Sequence, residues 1–480
     1  NGDEAGEFFR SMMQFDCSKE LMDFRFAFQN MPMWPLIRWS FFWQAIKEGV
    51  KNQAHAAPGP GMTAIAKAAY ALTAWRHRPS KDPRQFDILW FGSAAGVVAK
   101  KEGKWFGRVN DYLVGELPDR TLLIEDSHGR PMKTPRFVEN IRFHDFIRIR
   151  SAILARTLKR SPREDAATIA AFVAFLRKGF FLSLEDAFYA TLEKTLLDLS
   201  ARLPHYHESY SRLYERTRPK VVFLEDGCYG FHSYIIKWAR DSGIKTAEFQ
   251  HGAIVQTHHA YNYGDSGFHP DYAAHLPDYL LTHGQFWSDN TRIPAAKVTL
   301  GHPHFQGNMD ALLAKFGGKK AERGILIVSQ GDVTDLMVSL TKSLSSMAPE
   351  TKITFRLHPA EAAFVERYRE LHGIRNVEVS TSGDIYELIL TSEYVVGVSS
   401  TTLYEAVGLG KPVFVYDTAN ARFYTPRNFG TWFRDAGELL GLVAAVIPHS
   451  QASPEYVWAS AWAANYKAFL ERSIGIVTAP

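Results

Sequence analysis

Apolar positions in this chain follow two rhythms, short continuous runs and longer stretches at helical spacing. They alternate most clearly in the stretch PKVVFLEDGCYGFHSYIIKWARDSGIKTAEFQHGAIV, from Pro219 to Val255. Val221, Val222, Phe223 and Leu224 form an unbroken apolar run, long enough for a strand buried on both faces and too short for a helix. Phe231, Tyr234, Ile235 and Trp238 then recur at helical spacing, with Lys237 and Arg240 off the stripe and Asp241-Ser242-Gly243 as the stop. A second strand is expected at 246–249. Such strand, helix, strand units bind ligands at the carboxyl ends of their strands.

The same alternation recurs on both sides. Strands are expected at 86–92, 121–124, 278–281 and 297–300, with a long helical stretch over 141–218 that includes helices at 166–178 and 184–203. From Gly324 the pattern restarts, with strands at 325–328, 353–357, 377–379, 394–396 and 412–416 and helices at 334–347, 361–371, 385–390 and 401–407. At 480 residues the chain is too long for one ordinary core. The pattern therefore predicts an α/β protein of two Rossmann-like doubly wound domains. The expected parts are a helical N-terminal extension (1–80), a first domain with inserted helices (81–300), a second domain (301–450) and a C-terminal helix crossing back (451–480). Pro58-Gly59-Pro60-Gly61 breaks the chain as a loop or boundary.

Composition narrows the class. With 46% hydrophobic and 22% charged residues the chain is globular rather than disordered or coiled-coil. A formal charge of +4 suits an anionic ligand or a membrane surface but not a nucleic-acid binder, and no helix-turn-helix, zinc-finger or RNA-binding signature is present. Cys17 and Cys228, the two cysteines, are too few for a disulfide framework, so a reducing, cytoplasmic setting is expected. No stretch reaches the ~18 uninterrupted apolar residues of a spanning helix. The segment 26–51 mixes Met33, Trp34, Leu36, Ile37, Trp39, Phe41, Phe42, Trp43 and Ile46 with Arg38, Lys47 and Lys51. It reads either as an interfacial helix at the inner face of the cytoplasmic membrane or, more commonly for such a helix, as one packed on the main domain. Arg148, Arg150, Arg156, Lys159 and Arg160 form a basic face best read as a solvated helix surface.

Candidate chemistry gathers at strand ends. Glu225, Asp226 and His251 fall at the ends of adjacent strands and are the ingredients of general acid and base catalysis, although an acidic pair there also serves as a helix cap. After Gln250-His251-Gly252 a polar, aromatic loop follows, in which His258, Tyr261 and Tyr263 are candidates for acceptor binding. There is no HExxH and no paired cysteine, so no dedicated metal site is expected. In the second half, Ser329-Gln330, Arg356, His358-Pro359 and Ser399-Ser400-Thr401, with Glu405 downstream, sit at strand ends or helix starts. Hydroxyls and free amides there suit a phosphate, and also ordinary capping.

Glu225-Asp226-Gly227, His358-Pro359 and Ser399-Ser400 resemble, in order, the acidic-acidic-Gly, His-Pro and Ser-Ser motifs of bacterial GT-B sialyltransferases and polysialyltransferases. The chain is also similar to the wider group of capsule and surface-polysaccharide glycosyltransferases. That resemblance implies a GT-B fold with a cleft between an acceptor domain and a donor domain, and metal-independent transfer of a nonulosonic acid from a cytidine-activated donor to a surface glycan. It implies Glu225 as general base, His358, Ser399 and Ser400 on the phosphate, and Glu405 on the ribose. The nucleotide sugar is then a co-substrate, and no cofactor is implied. Gln250-His251-Gly252 instead resembles the Trp-His-Gly of CDP-glycerol polymerases, which implies His251 as base and a polyol phosphate as cargo. A non-catalytic nucleotide- or glycan-binding subunit is the alternative outside enzymes.

Overall fold

The computed structural model describes residues 4–49, 63–79, 84–157, 163–316, 324–331, 333–445 and 452–478. The break at Pro58-Gly59-Pro60-Gly61 and the basic positions Lys51, Lys159 and Arg160 lie outside these residues.

Seven parallel strands form the first sheet: β1 (Ile88–Ser93), β2 (Thr121–Asp126), β3 (Ile141–Phe143), β4 (Val221–Leu224), β5 (Lys245–Phe249), β6 (Tyr279–Thr282) and β7 (Ala296–Thr299). Their spatial order is β3-β2-β1-β4-β5-β6-β7. The second sheet has six: β8 (Gly324–Val328), β9 (Lys352–Arg356), β10 (Val377–Ser380), β11 (Tyr394–Gly397), β12 (Val413–Tyr416) and β13 (Thr431–Phe433), in the order β10-β9-β8-β11-β12-β13. Both orders reverse direction once, between β1 and β4 and between β8 and β11. Crevices at such reversals are where doubly wound sheets hold ligands. Two Rossmann-like domains meeting at a cleft, with a helical N-terminal region and a returning C-terminal helix, is the GT-B architecture the sequence implies.

The all-apolar strands are explained by cover on both faces. Val221 and Phe223 point to one side, where Trp90 stacks on Phe223 at 4.4 Å and Tyr466 and Phe469 of the C-terminal helix Trp462–Phe469 complete the layer. Val222 and Leu224 point to the other, toward Tyr210 and Tyr214 of the long helix Asp186–Thr217. That helix continues through Pro204, beyond the end expected at 203, because its apolar stripe runs on through Tyr206, Tyr210 and Leu213. The short edge strands β3 and β13 were not expected from the pattern, and neither was the hairpin of Val97–Lys101 with Lys104–Gly107.

The helix of the aromatic segment packs on the main domain. Trp34, Leu36, Ile37, Phe41 and Phe42 of the helix Trp34–Gly49 are buried. Arg38, also buried, pairs with Asp16 at 2.8 Å, and Asp16 accepts further bonds from Trp34 Nε1 (2.9 Å), Gly264 N (2.7 Å) and Ser266 Oγ (2.6 Å). A buried ion pair with its lone pairs satisfied fixes geometry more than it stabilises. Here it locks the N-terminal extension onto the loop after β5. Among the described residues no helix is long and apolar enough to cross a membrane.

Candidate active site

Glu225 follows β4 at the first reversal point. Its Oε2 accepts from the Ser93 backbone N–H at 2.7 Å and from Asn110 Nδ2 at 2.9 Å, and Asn110 is itself fixed by Trp90 Nε1 at 2.7 Å. Burial pushes the Glu225 carboxyl up to about 7, against the pull of those two donors and with help from Asp226. Side chains of successive residues leave a strand on opposite sides. Asp226 accordingly lines a different space, beside Asp126, and burial first and Asp126 second push it up to about 6.

The turn after this pair is held from beneath. Glu248, fully buried on β5, accepts from Cys228 N at 2.7 Å and from the Tyr261 hydroxyl at 2.6 Å, and burial pushes its carboxyl up to about 8. Gly230 closes the turn at φ 87°, with the Pro35 carbonyl oxygen 2.2 Å from where a Cβ would stand. Only glycine combines that conformation with that approach.

His251 is presented by its neighbour. Gln250, buried, accepts from His283 N at 2.8 Å and donates to the Gly252 carbonyl at 2.7 Å, fixing the loop. His251 Nε2 pairs with the Tyr229 hydroxyl at 3.0 Å, and the imidazole also lies near the Glu225 carbonyl. Burial pulls the imidazole down to about 4, only weakly opposed by the nearby Glu225 carbonyl, so it is neutral at physiological pH. His251 lines an interdomain cavity of about 170 Å³. Arg108, His283 and His302 line it from the first domain and its exit, Thr401, Tyr386 and Glu405 from the second. Trp458 bridges the two, stacked on Phe305 at 4.6 Å with its N–H donated to the Tyr404 carbonyl at 2.7 Å. Glu405 accepts from the Tyr386 hydroxyl at 3.1 Å and is pushed up to about 7 by burial.

The second reversal point carries hydroxyls. Gln330 Oε1 accepts from Ser399 N at 3.0 Å and Ser399 Oγ at 3.2 Å, and Ser400 Oγ caps the helix Thr401–Gly408 through Thr402 N at 3.3 Å. Ser329 is buried against the Tyr368 hydroxyl at 3.1 Å, and Arg356 latches Ser380 Oγ at 3.1 Å and the Gly383 carbonyl at 2.9 Å. Those two serve the domain's own packing. His358 is exposed at the end of β9, and Pro359 opens the following 3-10 helix. Of the candidates named from the sequence, the structure brings His251, Thr401 and Glu405 to one cavity.

Two acceptor candidates lie inside the fold. The Tyr261 hydroxyl is bound to Glu248, and the buried Tyr263 hydroxyl donates to the Ala260 and Cys228 carbonyls at 2.8 and 3.1 Å. The polar loop is spent on tying the N-terminal extension down. His258 is part-buried and stacks on Tyr229 at 6.0 Å. Sequence reasoning passed over Arg108, His283, His302 and Trp458. A signal existed for the histidines: β5, β6 and β7 each run into a histidine beside glycine, at His251-Gly252, His283-Gly284 and Gly301-His302. A metal-compatible group, Asp126, His144 and His232, also escaped notice and lines a separate cavity.

No family model matches the chain, and no curated protein does. Solved structures similar to it include a UDP-GlcNAc 2-epimerase from Neisseria meningitidis bound to UDP-GlcNAc, at TM-score 0.40 and 11% identity over 81% of this chain and 99% of that one. The glycosyltransferase of kitacinnamycin matches at TM-score 0.40 and 14% identity, over 82% and 96%. The wall teichoic acid polymerase TagF matches at TM-score 0.37 and 12% identity, over 85% and 87%. Likeness at this level does not extend to chemistry, which has to be read from this chain's own residues.

Proposed function

We propose that the protein is a GT-B glycosyltransferase that moves a sugar, a nonulosonic acid in the favoured reading, from a cytidine-activated donor to a cell-surface glycan. The supporting observation is the interdomain cavity that His251, Thr401 and Glu405 share, between the carboxyl ends of two doubly wound sheets. The donor lies across the second sheet's edge. Glu405 meets the ribose, the capped start of the helix Thr401–Gly408 with Ser399 and Ser400 meets the phosphate, and His358 approaches it from the end of β9. Glu225 takes the acceptor hydroxyl proton through the carboxylate oxygen that Ser93 and Asn110 leave free. Its pKa of about 7 lets it be ionised and still basic at neutral pH. As the proton passes to Glu225, the acceptor oxygen bonds to the anomeric carbon and the bond to the phosphate oxygen breaks, releasing cytidine monophosphate. Closure of the domains over the cavity excludes water.

One observation favours a second reading. His251 lines the cavity and Glu225 is not among its lining residues, as suits transfer of a polyol phosphate with His251 as base. Saturation-transfer NMR with CMP, CDP-glycerol and UDP-GlcNAc tests the donor class. Contact with CMP that weakens in Glu405→Gln supports the reading, and contact with UDP-GlcNAc alone overturns it.

A further inference from the structure

Asp126 ends β2, His144 follows β3 and His232 precedes the helix Ser233–Asp241, all on the side of β4 away from the interdomain cavity. They line a separate space of about 20 Å³, together with Asp226 and His128. That is room for one ion or one water. One donor atom from each of the three residues lies within 4.8 Å of the other two, and His144 Nδ1 is 3.2 Å from Asp126 Oδ2. Ligand atoms about 2.0 to 2.2 Å from a shared ion in a tetrahedral array stand roughly 3.3 to 3.6 Å apart, so closure of up to about 1.5 Å completes the set.

The surroundings are those of a ligand set. His144 Nε2 is hydrogen-bonded to the buried Tyr210 hydroxyl, the outer contact that orients a ligating imidazole, and Nδ1, hydrogen-bonded to Asp126 Oδ2, is the atom that would turn to the ion. The His232 carbonyl accepts from Ile235 N at 2.9 Å, and its imidazole lies edge-on to that of His144 with the ring centroids 5.4 Å apart. Arg148 Nη1 stands 3.4 Å from Asp126 Oδ2 while its Nη2 pairs with Asp145 Oδ1 at 2.8 Å, and a carboxylate oxygen has a lone pair for each of two cations.

We infer that Asp126, His144 and His232 bind a divalent transition-metal ion of the zinc class, with water in the remaining position facing Asp226. Two histidines and one carboxylate with an open position are a recurrent set for such ions. The site stands apart from the donor cavity and is independent of the donor reading. Asp226 directly follows Glu225, so the ion braces the strand end that carries the proposed base.

Metal analysis and Co²⁺ absorption of the chelator-treated, refilled full chain test this. The expected result is one Co²⁺ per chain, with visible bands that Zn²⁺ abolishes. His232→Ala and Asp126→Asn should weaken binding at least tenfold with circular dichroism unchanged, and His251→Asn should keep it. Wild-type protein that takes up no stoichiometric Co²⁺ overturns the inference without recourse to any variant. So does an unchanged Co²⁺ spectrum in folded His232→Ala.

Discussion

The two domains share one topology and use it differently. The edge of the first sheet is crowded with buried or half-buried groups that gain or lose protons, Glu225, Asp226, His251 and the Asp126, His144, His232 group among them. The edge of the second sheet offers hydroxyls, amides and a capped helix start, at Ser399, Ser400 and Thr401, with Glu405 as the acid in the cavity. Burial raises Glu225 to about 7 and Asp226 to about 6 and lowers His251 to about 4, while the serines and threonine of the second have no proton to lose near neutral pH. On the reading proposed above, proton transfer belongs to Glu225 at the edge of the first sheet and recognition of a phosphate to the edge of the second. The same reversal of strand order prepares both crevices, and the side chains at the strand ends decide what each does.

The largest expected effect breaks the comparison on its first side. Glu225→Gln keeps size and hydrogen bonding but removes basicity, and should lower turnover by on the order of 10² to 10⁴ with nucleotide affinity retained. Steady-state kinetics together with calorimetry check both halves of that statement.

A smaller effect sharpens the second side. Glu405→Gln and Ser399→Ala should each weaken CMP by about tenfold, the scale of one lost charge-assisted bond, and leave turnover at saturating donor close to normal. Equal loss of turnover in these variants would erase the division of labour. Calorimetric titration with CMP is the measurement.

The smallest effect concerns the support beneath Glu225. The folded-state pKa of Glu248 is raised from 4.5 to about 8, so its contribution to stability is fully present below about 4.5 and is lost as pH rises through about 8. Glu248→Gln lacks that term. The stability of the native chain relative to this variant should therefore fall steadily between pH 5 and pH 8, as followed by urea unfolding at a series of pH values.

Much of the architecture was legible because parallel strands covered on both faces are apolar throughout, as in Val221 to Leu224. The elements that escaped, β3 and β13, are three-residue edge strands with no such run, and Pro204 hid the continuation of a helix held by tertiary packing. Glu225, His251 and Glu405 were visible as polar residues at strand ends or helix starts. Packing of the helix Trp34–Gly49 was the commoner reading of its apolar segment, but burial of Tyr261 and Tyr263 was not visible, because it depends on the Asp16–Arg38 pair, whose members meet only when the chain has folded. Asp126, His144 and His232 come from three separate strand ends, and no local spacing connects them.

The central claim, that Glu225 is the proton acceptor in the transfer step, is tested most directly by the pH dependence of kcat/KM. The account predicts a rising limb with an apparent pKa near 7, set by burial of Glu225, which disappears in Glu225→Gln and persists in His251→Asn. A limb near 4 that is abolished by His251→Asn, with Glu225→Gln close to normal, would contradict it and make His251 the base.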